Sequence, residues 1–266
     1  MIGFNYLGNL GHLGNQMFQY AALKGISSKM GYDWCIPPKE YAGKFYQLKL
    51  LSDIYSCFEL YSCHNYKMIE GNTITESSYS FDENLFLNCP DNVSIHGYFQ
   101  SEKYFKHIED DIRKDFTFKK EIINECLQII SDIFDDIENV VSLHIRRGDY
   151  LKNSNHPIQS LEWYEQSINK FDSDHKIVIF SDDPQWCFEQ KLFESDRFII
   201  SQGNSAFHDL CLMSMLKKHI ICNSSFSWWG AWLANSNKVI APKNWFGGSC
   251  INHNTSDLYC PEWVII

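Results

Sequence analysis

A chain of 266 residues with 44% hydrophobic content has the material for one large core or two modest ones, and its net charge of −10 argues against binding a polyanion such as nucleic acid. Ten scattered cysteines with no C-x-x-C pair read as reduced thiols, which speaks against a disulfide framework or a zinc site. No apolar run approaches the ~18 residues of a membrane span and no basic n-region opens the chain, so the expected location is the cytoplasm, with room for peripheral association at the inner membrane.

In chain order, residues 2–7 (I-G-F-N-Y-L) read as a short strand, followed by Gly8, Gly11 and Gly14 and a helix over 16–30. Such a turn can aim backbone N–H groups and a helix N-terminus at an anion. The stretch 40–92 is rich in Tyr, Ser, Asn and Cys and has no assignable period. Residues 93–99 alternate like a strand, and 102–116 and 120–134 carry helical apolar spacing. The acidic run 132–138 predicts a boundary, with domains over 1–137 and 138–266. Beyond it, strands are predicted at 139–145, 176–181, 197–200, 219–222 and 238–241, with helices at 161–170, 184–193, 206–217 and 226–235. This alternation is that of an α/β fold with a parallel sheet covered on both faces, and such sheets bind ligands outside the carboxyl ends of their strands.

Polar residues collect at those ends. Arg146-Arg147-Gly148-Asp149 follows one strand, Ser181-Asp182-Asp183 another, and Asn223-Ser224-Ser225-Phe226 a third. An arginine fork binds phosphate bidentately at any working pH, although a plain ion pair of Arg147 with Asp149 accounts for part of the same pattern. The serines can meet phosphate oxygens or simply cap the helix that follows. Asp209 opens a predicted helix, where it suits the helix dipole or the N–H donors of a guanine edge. His144 is either a ligand contact or a satisfied core histidine. Trp228, Trp229 and Trp232 have the spacing of helix core. The D-x-D at Asp172-Ser173-Asp174 precedes its strand and reads as a solvated turn, while Asp182-Asp183 lacks a further ligand at metal spacing, so no metal site is expected.

Together these segments resemble the bacterial α-1,2-fucosyltransferases of glycosyltransferase family 11. The matching stretches are G-H-L-G-N-Q-M-F-Q-Y-A (11–21), G-Y-F-Q-S-E-K-Y-F (97–105), H-I-R-R-G-D-Y (144–150), F-S-D-D (180–183) and N-S-S-F-S-W-W-G-A-W (223–232). The resemblance implies a GT-B-like fold of two Rossmann-like halves with a cleft between them, an acceptor-side N-terminal domain and a GDP-fucose-binding C-terminal one. It implies GDP-L-fucose as donor, inversion, and no essential metal or other cofactor. The acceptor would be a terminal β-galactoside in an oligosaccharide or lipid-linked glycan, as in O-antigen biosynthesis. It places Arg146 on the β-phosphate, with Arg147, Ser181, Asp182 and Asn223 nearby. It sets His144 and Asp209 at guanine, and Ser224, Ser225 and Phe226 at phosphate. Asn15 and Gln16 would lie near fucose or acceptor. Catalytic candidates are Arg146, for the leaving group, and Asp149 and His12 as alternative bases, with His156 a weaker one. His12 stands where the family usually has Gly, which suggests altered acceptor fit more than a base. An α-1,6-type or protein O-fucosyltransferase, a non-catalytic nucleotide-sugar binder, and a dinucleotide oxidoreductase are the competing readings.

Overall fold

The computed structural model describes residues 1–38 and 53–266. It divides into two compact units, one of residues 1–119 with 253–260 and one of residues 120–252 with 261–266. Part of the stretch 40–92 lies outside the described residues. No described helix is long and apolar enough to cross a membrane, and all ten cysteines are unbridged.

The first unit holds β1 (Ile2–Gly3), α1 (Leu13–Met30), β2 (Trp34–Cys35), α2 (Asp53–Cys57), β3 (Thr73–Thr75), α3 (Glu83–Asn88), β4 (Ser94–His96) and α4 (Glu109–Asp115). Its four strands are parallel in the order β2-β1-β4-β3. The strand expected over 2–7 stops at Gly3. Asn5 ends it by turning its amide side chain onto the backbone of Ile69, as donor to the carbonyl at 2.8 Å and acceptor from the N–H at 2.9 Å. Helix α1 begins at Leu13, earlier than its apolar spacing indicated, and is buried along most of its length. That burial takes Lys24 inside, where its ammonium meets the fully buried carboxylate of Asp115 at 2.7 Å. Tyr20 donates to the same carboxylate at 2.8 Å, so the buried charge is both paired and hydrogen-bonded. The helix expected over 102–116 is interrupted. Phe105 leaves helical geometry between two 3₁₀ turns, and only Glu109–Asp115 is α-helical.

The second unit holds α5 (Lys120–Ile133), β5 (Val140–Ile145), α6 (Leu161–Ile168), β6 (Lys176–Ser181), α7 (Pro184–Phe188), β7 (Phe198–Ile200), α8 (Ala206–Met215), β8 (Lys218–Ile220), α9 (Ser225–Leu233), β9 (Lys238–Ala241) and β10 (Val264–Ile265). Six parallel strands run in the order β10-β9-β8-β5-β6-β7. Every residue of β5 is buried, as a central parallel strand requires. The core joins Val141, Leu143 and Ile145 to Ile177, Ile179, Ile220 and Ile240. The three helix tryptophans are core as their spacing indicated, at 0%, 0% and 4% exposure.

The division between the units falls at 119/120, not at the 137/138 suggested by the acidic run. Helix α5 lies ahead of those acids but joins the second unit, because it packs on α8. There Glu125 Oε2 meets His208 Nε2 at 2.7 Å, and the Cys126 thiol donates to the His208 carbonyl at 3.5 Å.

Candidate functional site

From β5 the chain winds outward through β6 to β7, and from β8 through β9 to β10 on the other side. The strand order therefore reverses between β5 and β8, which are paired directly. A reversal of this kind opens a crevice past the carboxyl ends of the two strands, where open α/β sheets bind ligands. The segments that follow β5 and β8 are those beginning at Arg146 and Ile221.

Arg146 directs its guanidinium to two carboxylates, Asp149 at 2.6 Å and Asp182 at 3.1 Å. Although partial burial opposes its charge, Asp182 and Asp149 hold its pKa above the ordinary value. Its guanidinium also lies 5.6 Å from the Tyr150 ring centre. Arg147 does different work. Its guanidinium lies over the Trp186 ring, 3.9 Å from the ring centre, and its Nε donates to Asp183 at 3.1 Å. The ion pair expected between Arg147 and Asp149 is thus replaced by Arg146–Asp149 and Arg147–Asp183. Asp149, which opens a 3₁₀ turn three residues on, reaches back to Arg146, while the next arginine is drawn to the aspartate that caps α7.

Asp182 clamps the turn from the neighbouring strand. Its Oδ1 accepts the Arg147 backbone N–H at 2.9 Å, and a Cβ on Gly148 would lie 2.4 Å from its Oδ2. Glycine is needed there for the approach. Asp183 caps α7 through the Trp186 N–H, and Ser181 Oγ accepts the Asp183 N–H at 3.0 Å. The aspartate pair weighed as a metal motif is therefore engaged by arginines and by backbone.

His144 is 5% exposed, its Nδ1 3.1 Å from the Cys222 sulfur and its ring against Phe226 at 5.6 Å. Burial, helped by nearby Arg146, lowers its pKa to about 3, so the ring is neutral. Asn223 is spent structurally. Its side chain accepts from Gln159 and donates to the Trp245 carbonyl, while its own carbonyl accepts the Tyr150 hydroxyl at 2.9 Å. Ser224 caps α9 by accepting the Phe226 N–H, which sets Ser225 and Phe226 as the first residues of that helix. Asp209 lies in the first turn of α8, beyond β7. Its carboxylate accepts the Ser201 hydroxyl at 2.9 Å, and Ser201 in turn accepts from Asn204 at 3.1 Å. Burial raises the Asp209 pKa to about 6.

In the first unit, Asn15 Oδ1 accepts from Gln100 Nε2 at 2.8 Å. Gln19 ties the glycine loop to the segment after β4, donating to the carbonyls of Leu10 and Gly97. His12 is exposed at the N-terminus of α1. Gln16 is 1% exposed and turned inward, with Oε1 accepting the Ile54 N–H. The D-x-D pair lies just ahead of β6, at the amino edge of its sheet. Ligand atoms of Asp172, Asp174 and His175 fall within 4.8 Å of one another there, with both aspartates exposed.

Sequence reasoning passed over Tyr150, Trp186 and Ser201. Tyr150 stands inside the arginine motif and was open to notice. The others act through side-chain contacts that adjacency in the chain does not show.

The family model "Glycosyl transferase family 11" matches residues 2–266. An α-1,2-colitosyltransferase of Escherichia coli is 32% identical over 96% of this chain and 96% of its own length. The O-antigen biosynthesis glycosyltransferase WbnK of the same organism is 29% identical over 74% of this chain and 68% of its length. A galactoside 2-α-L-fucosyltransferase, SEC1 of Bos taurus, is 24% identical over 96% of this chain and 71% of its length. Among solved structures, the fucosyltransferase NodZ from Bradyrhizobium aligns with a TM-score of 0.60 over 93% of this chain and 96% of its own, at 12% identity. POFUT1 in complex with GDP aligns at 0.57 over 88% and 94%, also at 12%. These structures share the two-sheet GT-B-like architecture. The chain belongs to glycosyltransferase family 11.

Proposed function

Taking that membership as the premise, we propose that the protein transfers L-fucose from GDP-L-fucose, with inversion, to the 2-hydroxyl of a terminal β-galactoside in bacterial O-antigen assembly. The observation that carries this reading is Arg146 at the strand-order reversal, beside the N-terminus of α9. Departure of fucose loads negative charge onto the diphosphate. Arg146 and the positive end of the α9 dipole, at Ser225 and Phe226, stabilise it.

Asp149 is 57% exposed, so its pairing with Arg146 is a surface ion pair that an incoming phosphate displaces at small cost. Asp182, Asp183 and Arg147 hold the turn in place while this happens. The neutral ring of His144 and the carboxylate of Asp209 address the guanine, Asp209 accepting from its N–H donors, with Ser201 fixing the carboxylate. Since arginine and helix dipole supply the charge, chelators are expected to leave transfer unchanged.

The support is the placement of these residues, the family, and relatives named for α-1,2 linkage and for O-antigen biosynthesis. One observation favours a second donor: the relative matching 96% of both chains is a colitosyltransferase. Colitose is fucose without its 3-hydroxyl, so the two donors differ by one hydrogen-bonding group.

The test supplies GDP-fucose and GDP-colitose separately with a panel of β-galactosides, including a lipid-linked one, and reads linkage by NMR. An α-1,2-fucosylated galactoside is expected. A 6-linked or peptide-linked product, or donor binding with no transfer to any acceptor, overturns the reading, and transfer of colitose alone replaces the donor.

A further inference from the structure

Past Asp149, the segment that follows β5 runs on to His156, whose half-buried imidazole stacks on the Tyr150 ring at 4.9 Å and 19°. The Arg146 guanidinium lies 5.6 Å from the centre of the same Tyr150 ring. Tyr150 in turn donates its hydroxyl to the Asn223 carbonyl at 2.9 Å, just ahead of α9. One tyrosine therefore joins the two strand ends that flank the reversal, and both Arg146 and His156 rest against its ring. All of these residues belong to the second unit.

Several independent contacts fix His156 there. Pro157 confines its backbone to extended conformations. Its N–H donates to the Asn153 carbonyl at 3.0 Å, and the Asn153 side chain accepts the Asn155 N–H at 3.1 Å. The segment after β9 clamps the same loop. Asn155 Oδ1 accepts the Ser249 N–H at 2.9 Å and the Ser249 hydroxyl at 3.0 Å, and the Asn155 carbonyl accepts the Gly247 N–H at 3.0 Å. The approach needs glycine. Gly248 has a φ of +51°, and a Cβ on it would stand 2.5 Å from Asn155 Oδ1. The Phe246 ring lies 6.1 Å from the imidazole.

The imidazole Nδ1 is buried and has no hydrogen-bond partner among the described residues. Protonating the ring would place an N–H at that sealed position with no acceptor, so the ring is neutral. Burial lowers its pKa, while the charges of Asp149 and Arg146 pull in opposite directions. For the same reason the single ring proton belongs on Nε2 and not on the sealed nitrogen. The remaining lone pair, on Nδ1, is out of reach of a substrate proton. This tautomer is a hydrogen-bond donor and not the base that the sequence left open.

We propose that His156 is a second donor to the diphosphate of the nucleotide sugar. Its Nε2–H bonds a phosphate oxygen beside Arg146, and Tyr150 is the positioning residue that holds the two together. This rests on the donor reading proposed above. A diphosphate spreads its oxygens over two phosphorus centres, so a charged donor and a neutral one can be engaged at once.

The test is calorimetry of the full chain with GDP and with guanosine, for wild type, H156F, H156Q and H156N. H156F keeps a ring to stack on Tyr150 and removes the donor. Its GDP affinity should fall roughly 10–100-fold, the usual weight of a hydrogen bond to a charged group, while guanosine binding stays within about twofold. Gln sets an amide N–H at the reach of Nε2, and Asn sets one at the reach of Nδ1. H156Q should therefore keep most of the GDP affinity and H156N should lose it. That pair keeps the comparison informative should H156F fail to fold. Wild-type GDP affinity in H156F, equal losses for GDP and guanosine, or H156N binding GDP better than H156Q overturns the assignment. A wild-type chain that binds no GDP overturns the proposed function instead, so the two failures are distinguishable.

Discussion

Arg146 holds two carboxylates within 3.1 Å and directly follows β5 at the strand-order reversal, so its removal should be felt in the chemistry before the fold. Arg146→Ala should lower kcat by roughly 10²–10³-fold, the usual cost of losing one transition-state charge contact, with a melting curve close to wild type. Arg147→Ala should instead show first as lost stability, because its contacts are a tryptophan face and a helix-capping aspartate. Asp209 gives a pH signature. Its pKa of about 6 lies above that of an unfolded aspartate, so the folded form holds the proton more tightly. Its contribution to stability is therefore fully present in acid and is lost as pH rises through about 6. Asp209→Asn should melt above wild type near neutral pH, with the difference closing toward about pH 4. Calorimetry should show the opposite trend for binding. Wild-type GDP affinity falls as pH drops through about 6, and the Asn variant is weak and flat. The chemistry of H-I-R-R-G-D-Y was legible from residue type alone. Which arginine meets which carboxylate was not, because Asp182 and Asp183 arrive from a strand that is adjacent in the sheet and distant in the chain.

At the scale of elements, legibility followed strand length. The second unit's β5 and β6 each run six residues and alternate with helices, so pattern alone located them. The first unit's strands are two or three residues long, too short to show a period of two, and β2 and β3 passed unseen. Helix α1 was visible but its burial was not, since Lys24, Gln16 and Gln19 look like solvent-facing residues. The pairing of Lys24 with Asp115 explains how a lysine is tolerated there. Asp115→Ala would leave that buried ammonium with no carboxylate, only the Ser62 hydroxyl and the Asp111 carbonyl, and should cost about 3–5 kcal/mol, read as a lowered urea midpoint with the slope unchanged. Boundary placement failed for a related reason. The acidic residues of 132–138 are solvated as expected, but a run of charge marks exposure, and only the packing of α5 on α8 shows which unit that helix joins.

Across the whole molecule, a net charge of −10 is no obstacle to the proposed diphosphate site, which asks for positive charge only locally, at Arg146. If GDP is held there, hydrogen exchange should slow most at residues 146–150, 181–183, 209 and 223–226 on adding the nucleotide, with far smaller changes at 8–16. Protection centred on the glycine loop would move the donor site to the first unit. The path of the chain has one more consequence. It leaves the first unit after Lys119, re-enters it at His253, and returns to the second at Pro261. On re-entry Asp257 accepts the Phe81 N–H and the Lys103 ammonium, and the return lays β10 against β9. During synthesis, then, neither unit is complete when its main segment has emerged from the ribosome. Both wait on the same final stretch, so a polypeptide stalled at residue 252 holds two unfinished folds.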